Sequence, residues 1–161
     1  MINPQSILVR QGLESREDPI VVQIANIIPM IMAHLRNPGS FSHMSGIDRF
    51  FLAPELVCNN DIGAYNDIWS IGSILYMLVT GGYGGKPNLK AFEFHEDIWS
   101  TVSTELKAFL QKTLVTESNK RGSVDELLNT EFIQKAAQGI IPAGEGLKTR
   151  LSSAGYNLYQ F

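Results

Sequence analysis

Residues 67–80, DIWSIGSILYMLVT, constrain the fold of this chain more than any other segment. Drawn as an α-helix, the segment has no polar face, because its apolar residues lie on every side. They are Ile68, Trp69, Ile71, Ile74, Leu75, Tyr76, Met77, Leu78 and Val79. The apolar run is too short to span a membrane, and Ser70, Gly72 and Ser73 interrupt it. A helix that is apolar all round is buried by its neighbours, so the segment predicts a central helix with other elements packed around it.

The flanking sequence predicts a small hairpin before the central helix and further helices around it. Residues 6–9 and 19–26 are rich in β-branched residues and are separated by a charged stretch, a pattern typical of a hairpin with a polar tip. Pro54 suits the first position of a helix. Ser103 suits the N-cap of another, and Ser123 with Glu126 has the spacing of a capping box. From Pro54 onward the chain therefore reads as helical.

Composition excludes several classes of function. The 161 residues fit one domain, and a net charge of -3 gives no field that would attract nucleic acid. Cys58 is the single cysteine, so no internal disulfide forms and a reducing, intracellular location is expected. The histidines, His34, His43 and His95, are scattered without the spacing of metal ligands. We expect no bound metal, no insertion into a membrane and no nucleic-acid partner.

Three motifs resemble the C-terminal lobe of eukaryotic protein kinases. They are FLAPEL at residues 51–56, NDIWSIGSILYMLVTG at 66–81 and NKRGSVDELLNTEFI at 119–133. The resemblance implies a mainly α domain, a kinase C-lobe-like helical domain with a small β-hairpin near the N-terminus. On this prediction residues 1–138 form the lobe and residues 139–161 a C-terminal tail. Within the lobe, residues 1–28 hold a catalytic-loop remnant and the hairpin, 29–52 an activation-segment-like loop and 53–138 the helical core.

The resemblance also assigns structural roles to particular residues. Glu55 ends the Ala-Pro-Glu motif of the activation segment, and Arg121 matches the arginine that pairs with that glutamate. These two could instead be separate surface charges, but the resemblance implies a buried ion pair. Asp67 opens the central helix, either as an N-terminal carboxylate or, as in active kinases, as a support for the catalytic loop. We predict structural roles for Asp67, Trp69 and Trp99.

Two positions near the N-terminus depart from the pattern of active kinases. NPQSILV at residues 3–9 resembles the end of a catalytic loop, and this places Ser6 where the family has a metal-binding Asn. VVQIANII at residues 21–28 resembles the strand that leads into Asp-Phe-Gly, with Asn26 in place of the metal-binding Asp. Phosphoryl transfer depends on metal ions held by that Asn and Asp. The resemblance therefore implies a truncated, degenerate lobe of pseudokinase type, without catalytic residues, nucleotide or cofactor.

A lobe without catalysis is expected to work by contact with other protein subunits. The predicted function is a catalytically inactive structural or scaffolding subunit of a larger protein assembly. The alternatives are a regulatory binding module that docks on an active kinase, or the C-terminal half of a split serine/threonine kinase. The apolar run after the second strand and the aromatic residues of the tail, unless the tail is simply disordered, supply the partner-binding candidates. These are Ile27, Ile28, Met30, Met32, Tyr156, Tyr159 and Phe161.

Overall fold

The computed structural model describes residues 2–10, 21–25, 50–80, 92 and 99–139. Two strands form a hairpin, β1 (Ile7–Arg10) and β2 (Val21–Ile24). The helices are α1 (Pro54–Asn59), α2 (Ala64–Thr80), α3 (Thr104–Thr113), α4 (Val124–Leu128) and α5 (Glu131–Ala137). The mainly α fold with a small N-terminal hairpin is therefore confirmed. None of the helices in the described part of the chain combines the length and the hydropathy needed to cross a membrane.

The hairpin is antiparallel, and its register pairs Ile7 with Ile24 and Arg10 with Val21. A single 3-10 turn, Pro4–Ser6, precedes β1 and is capped by Asn3. β1 begins one residue later than the sequence predicts, because Ser6 belongs to this turn rather than to β1. The predicted polar tip covers residues 10–18, and apart from Arg10 at the end of β1 it lies outside the described residues.

α1 begins at Pro54, as predicted, and proline is favoured at this position because the first N–H of a helix has no partner inside the helix. The helix ends at Asn60, whose φ of 53° places it in the left-handed region. Asparagine tolerates this conformation better than most residues. The chain can therefore turn at once toward α2.

α2 begins at Ala64, so the predicted start at Asp67 is wrong by one turn. Asn66 lies in the first turn, and its Oδ1 accepts a hydrogen bond from the backbone N–H of Gly63 at 2.8 Å. A side chain at the third helical position commonly satisfies the N–H that precedes the helix in this way. Asp67 therefore lies at the end of the first turn rather than at the cap.

α2 is central to the fold but not enclosed on all sides, which corrects the expectation from its apolar sequence. Trp69, Tyr76 and Val79 are buried, whereas Ile71 is 38% exposed and Leu78 is 48% exposed. The buried side faces α3, with which α2 makes its main helix–helix contact. Small residues allow that contact, because a Cβ added to Gly72 would lie only 2.4 Å from Oγ1 of Thr113.

The remaining helices pack against α2 and α3 through apolar side chains. Ser103 caps α3, accepting a hydrogen bond from the N–H of Leu106, and Ser123 with Glu126 forms the predicted capping box of α4. The rings of Phe109 in α3 and Phe132 in α5 lie 5.0 Å apart. The core is continued by an aromatic group around α2, comprising Phe50, Phe51, Tyr76, Phe92 and Trp99.

Candidate functional site

The best-defined polar site in the described part of the chain is a buried ion pair between Glu55 of α1 and Arg121. Nη1 of Arg121 lies 2.8 Å from Oε1 of Glu55, and Nη2 lies 3.0 Å from Oε2. The Arg121 side chain is fully buried and that of Glu55 is 8% exposed. This two-pronged geometry matches the planar guanidinium to the carboxylate, and it is the strongest common form of ion pair.

Every N–H of the Arg121 guanidinium has an acceptor. The carbonyl of Val115 accepts from Nε at 3.0 Å and from Nη2 at 2.8 Å. The carbonyl of Tyr65 accepts from Nη1 at 2.6 Å, and the Glu55 carboxylate takes the remaining two donors. An arginine has five N–H donors, so none remains for a ligand. The pair is therefore a structural clamp rather than a binding site.

Neighbouring side chains complete the environment of the clamp. Nδ2 of Asn66 donates to Oε1 of Glu55 at 2.7 Å, which gives the buried carboxylate a third hydrogen bond. The ring of Trp69 lies 5.1 Å from the guanidinium carbon of Arg121, within the range of a cation–π contact. The clamp thus joins α1, the first turn of α2 and the segment between α3 and α4.

Sequence reasoning missed three of the partners in this clamp. Asn66 could have been found, since its position three residues after Gly63 has the spacing of a capping contact. The carbonyls of Tyr65 and Val115 have no signature in the sequence, because every residue carries a carbonyl. Next to the clamp, the Tyr65 hydroxyl donates to Asp61 at 2.6 Å, and this bond raises the pKa of Tyr65.

The other residues with predicted structural roles lie apart from one another. Trp69 is 2% exposed and packs with Leu52 and Leu56, next to the clamp. Trp99 is 3% exposed and packs in the aromatic group, its ring 5.8 Å from that of Tyr76. Asp67 lies in the first turn of α2. The clamp is therefore flanked by Trp69, while Trp99 belongs to a different part of the core.

Ser6 lies in a closed pattern of hydrogen bonds with Asn3. Its Oγ accepts from the N–H of Asn3 at 2.9 Å and donates to the carbonyl of Asn3 at 2.8 Å. The side chain is buried, with 2% of the residue exposed. The Ser6 carbonyl accepts from the N–H of Ala25 at 2.7 Å, so the pairing places Ser6 beside the residue that directly precedes Asn26.

Several predicted residues lie outside the described part of the chain. They are Asn26, Ile27, Ile28, Met30, Met32, Tyr156, Tyr159 and Phe161. Their predicted roles therefore stay predictions. Among the residues that the structure describes, no three or more His, Cys, Asp or Glu side chains are grouped as metal ligands would be.

Comparison with known proteins identifies the family. Residues 31–133, which include α1 to α4, match the protein kinase domain. The chain belongs to the protein kinase domain family. The hairpin and Ser6 precede the matched residues, so the assignment rests on the helical part of this kinase-like chain.

Individual relatives are protein kinases of much greater length. Human death-associated protein kinase 2 is 31% identical over 118 residues, an alignment that covers 66% of this chain and 32% of the relative. Human serine/threonine-protein kinase PAK 4 is 33% identical over 112 residues, covering 63% of this chain and 19% of the relative. The chain therefore spans about a third or less of the length of these kinases.

Among solved structures, the twitchin kinase region from C. elegans aligns with 70% of this chain and 22% of its own. The TM-score is 0.49 and the sequence identity is 21%.

Proposed function

We propose that this kinase-like chain is catalytically inactive and acts as a structural or scaffolding subunit that binds other proteins. The observation that carries the proposal is the environment of Ser6. The resemblance of residues 3–9 to a catalytic loop places Ser6 at a metal-binding position, yet its hydroxyl both donates to and accepts from Asn3. A buried hydroxyl that caps its own turn is a poor ligand for a magnesium ion.

Charge supports the same proposal. Magnesium sites in kinases use carboxylate and amide oxygens together with phosphate oxygens of the nucleotide. The two aligned positions here, Ser6 and Asn26, are both neutral. The carbonyl of Ser6 accepts from the N–H of Ala25, the residue that precedes Asn26 in the sequence. Without a carboxylate at either position, the attraction for a divalent cation is much weaker.

The retained clamp supports a role that depends on a stable fold. Glu55 and Arg121 form a fully hydrogen-bonded buried pair, and a buried pair of this kind is costly to assemble unless its partners are all in place. A lobe that keeps its structural clamp and has neutral residues at the metal positions is suited to binding rather than to catalysis. A regulatory module that docks on an active kinase would have the same features.

A second candidate function is favoured by the comparisons. The relatives described above are protein kinases, and this chain spans only part of them. The chain would then be the C-terminal half of a split serine/threonine kinase, completed by residues of another chain. This candidate requires that Ser6 and Asn26 hold a metal together with the nucleotide.

Manganese broadening in amide NMR spectra tests whether Ser6 and Asn26 hold a metal in this chain. With Mn²⁺ and ATP added to the chain, we expect no selective broadening of the Ser6 and Ala25 signals. The double variant Ser6→Asn with Asn26→Asp supplies both kinase ligands and should gain broadening there. Ser6→Ala is the matched control, since it removes the hydroxyl without adding a ligand. Selective broadening in the unaltered chain would contradict the proposal and favour the split kinase.

The scaffolding role needs its own measurement. The tagged chain, purified from the cells that express it, should be recovered with other subunits in a fixed stoichiometry. Recovery of the chain as a free monomer would contradict a structural role in an assembly.

A further inference from the structure

The hairpin exposes apolar side chains on both of its faces. Val9 and Val22 pair across the strands and share one face, yet they are 67% and 62% exposed. Ile24 lies on the same face and is 56% exposed, and Leu8 on the opposite face is 47% exposed. A two-stranded hairpin is marginally stable in water by itself and normally gains further strands or a packed face. Within the described residues the hairpin has no third strand, so an added strand at its edge would stabilise it.

The outer edge of β2 carries backbone groups that do not face β1. The N–H of Ala25 donates to the carbonyl of Ser6, so this pair is hydrogen-bonded across the hairpin. Hydrogen-bonded and non-bonded pairs alternate along an antiparallel ladder. The N–H and carbonyl groups of Gln23 therefore face β1, while those of Val22 and Ile24 point outward. Within the described residues, the sheet contains only β1 and β2.

The sequence of β2 does not protect this edge. Edge strands usually carry lysine, proline or a bulge that prevents pairing with another chain. Val21–Ile24 reads Val-Val-Gln-Ile, with no charged residue, and no Asp, Glu, Lys or Arg occurs anywhere in residues 19–33.

The strand is also complementary to itself. In a two-fold antiparallel arrangement centred on Gln23, Val22 of one copy lies opposite Ile24 of the other. The outward N–H of each of these residues then donates to the carbonyl of the residue opposite it, as in a hydrogen-bonded pair of an antiparallel ladder. The two Gln23 side chains face each other at the axis, and no like charges meet.

We propose that two copies of this chain associate through the outer edges of β2 and form a continuous four-stranded antiparallel sheet. For its biological meaning the inference rests on the proposed binding function, because it names a second copy as one partner. It depends on the edge of β2 alone and not on the loss of catalysis. The manganese experiment and the association experiment below can therefore fail independently.

Sedimentation velocity on the whole chain tests the association. The unaltered chain should show a concentration-dependent dimer. Val22→Pro removes an outward N–H without removing a hydrogen bond between β1 and β2, and proline is tolerated on an edge strand. This variant should be monomeric. Val22→Thr is the matched control, since it stays β-branched and keeps the N–H, and it should still dimerise.

Charge changes at Gln23 test the two-fold axis and do not depend on the behaviour of the proline variant. Gln23→Lys and Gln23→Glu should each be monomeric, because two like charges would meet at the axis. An equimolar mixture of these two variants should form a heterodimer. Restored association in the mixture supports the proposed register.

Two results would overturn the inference. One is a Val22→Pro variant that dimerises as the unaltered chain does, and the other is a monomeric unaltered chain. If hydrogen exchange in that monomer shows protected Val22 and Ile24 amides, a different segment of the same chain occupies the edge.

Discussion

At the scale of single residues, Arg121 determines how three segments of the chain meet. It contacts Glu55 in α1, the carbonyl of Tyr65 in α2 and the carbonyl of Val115 after α3. A buried ion pair contributes little net stability compared with an apolar pair of the same shape, but the removal of one member is severe. The importance of Arg121 therefore lies in neutralising the buried Glu55 carboxylate, which would otherwise be an unpaired charge.

Arg121→Ala is predicted to destabilise the lobe strongly. The Glu55 carboxylate would remain buried without its counter-ion, and losses of this kind cost about 3–5 kcal/mol. The free energy of unfolding, measured by urea denaturation, should fall by that amount. The control is Lys120→Ala, because the Lys120 side chain is 65% exposed and its loss should change stability by about 0.5 kcal/mol or less. Equal stability of the two variants would show that water or another cation replaces Arg121.

At the scale of elements, the contact between α2 and α3 depends on the absence of a side chain at residue 72. A Cβ there would lie 2.4 Å from Oγ1 and 2.9 Å from Cβ of Thr113. We predict that Gly72→Ala forces the helices apart and costs about 1–3 kcal/mol, the usual range for overpacking, as measured by urea denaturation. Gly122→Ala is the control, since its nearest contact would be an ordinary 3.4 Å. If Gly72→Ala were as stable as the unaltered chain, the prediction would be wrong, because α3 could then shift away from the added methyl group without loss of stability.

An ion pair between α3 and α5 predicts acid sensitivity at this second contact. Lys135 hydrogen-bonds to Glu105 and lowers the pKa of that carboxyl from 4.5 to about 2. Because the folded-state pKa is depressed, the contribution is complete above about pH 4.5 and is lost as the pH falls toward 2.

Glu105→Gln should therefore reduce the drop in Tm between about pH 6 and about pH 2. Glu117→Gln is the control, because Glu117 pairs with Lys120 at an exposed site where both side chains are at least 60% exposed. A drop in Tm for Glu105→Gln as large as that of the unaltered chain would contradict the assignment.

At the scale of the whole molecule, local signals in the sequence predicted the order of elements well. The hairpin, the helix start at Pro54 and the capping box at Ser123 all follow from residue types at short spacing. The start of α2 was missed because the Asn66 side chain extends the helix by one turn. The exposure of Ile71 and Leu78 was missed because an apolar sequence does not state which neighbours are present to cover it.

For the candidate site too, the sequence predicted some features and missed others. The motifs indicated Glu55 and Arg121 through family resemblance, but not the carbonyls of Tyr65 and Val115 that complete the clamp. Whether the Ser6 hydroxyl is available depends on a turn of three residues, Pro4–Ser6, that residue types alone do not specify. The backbone acceptors of the clamp and the local turn at Ser6 are therefore the parts of the site that residue types left undetermined.

The distance along the chain between Glu55 and Arg121 also has a kinetic consequence. The two residues are 66 positions apart, so their bond closes a long loop, and we expect it to form after α2 and α3 have docked. Interactions that form after the folding barrier affect the unfolding rate rather than the folding rate. In a chevron plot, Arg121→Ala should therefore show a much higher unfolding rate at every denaturant concentration and an almost unchanged folding rate. The clamp would then act as a latch on the finished lobe, prolonging the lifetime of the native state without guiding its assembly.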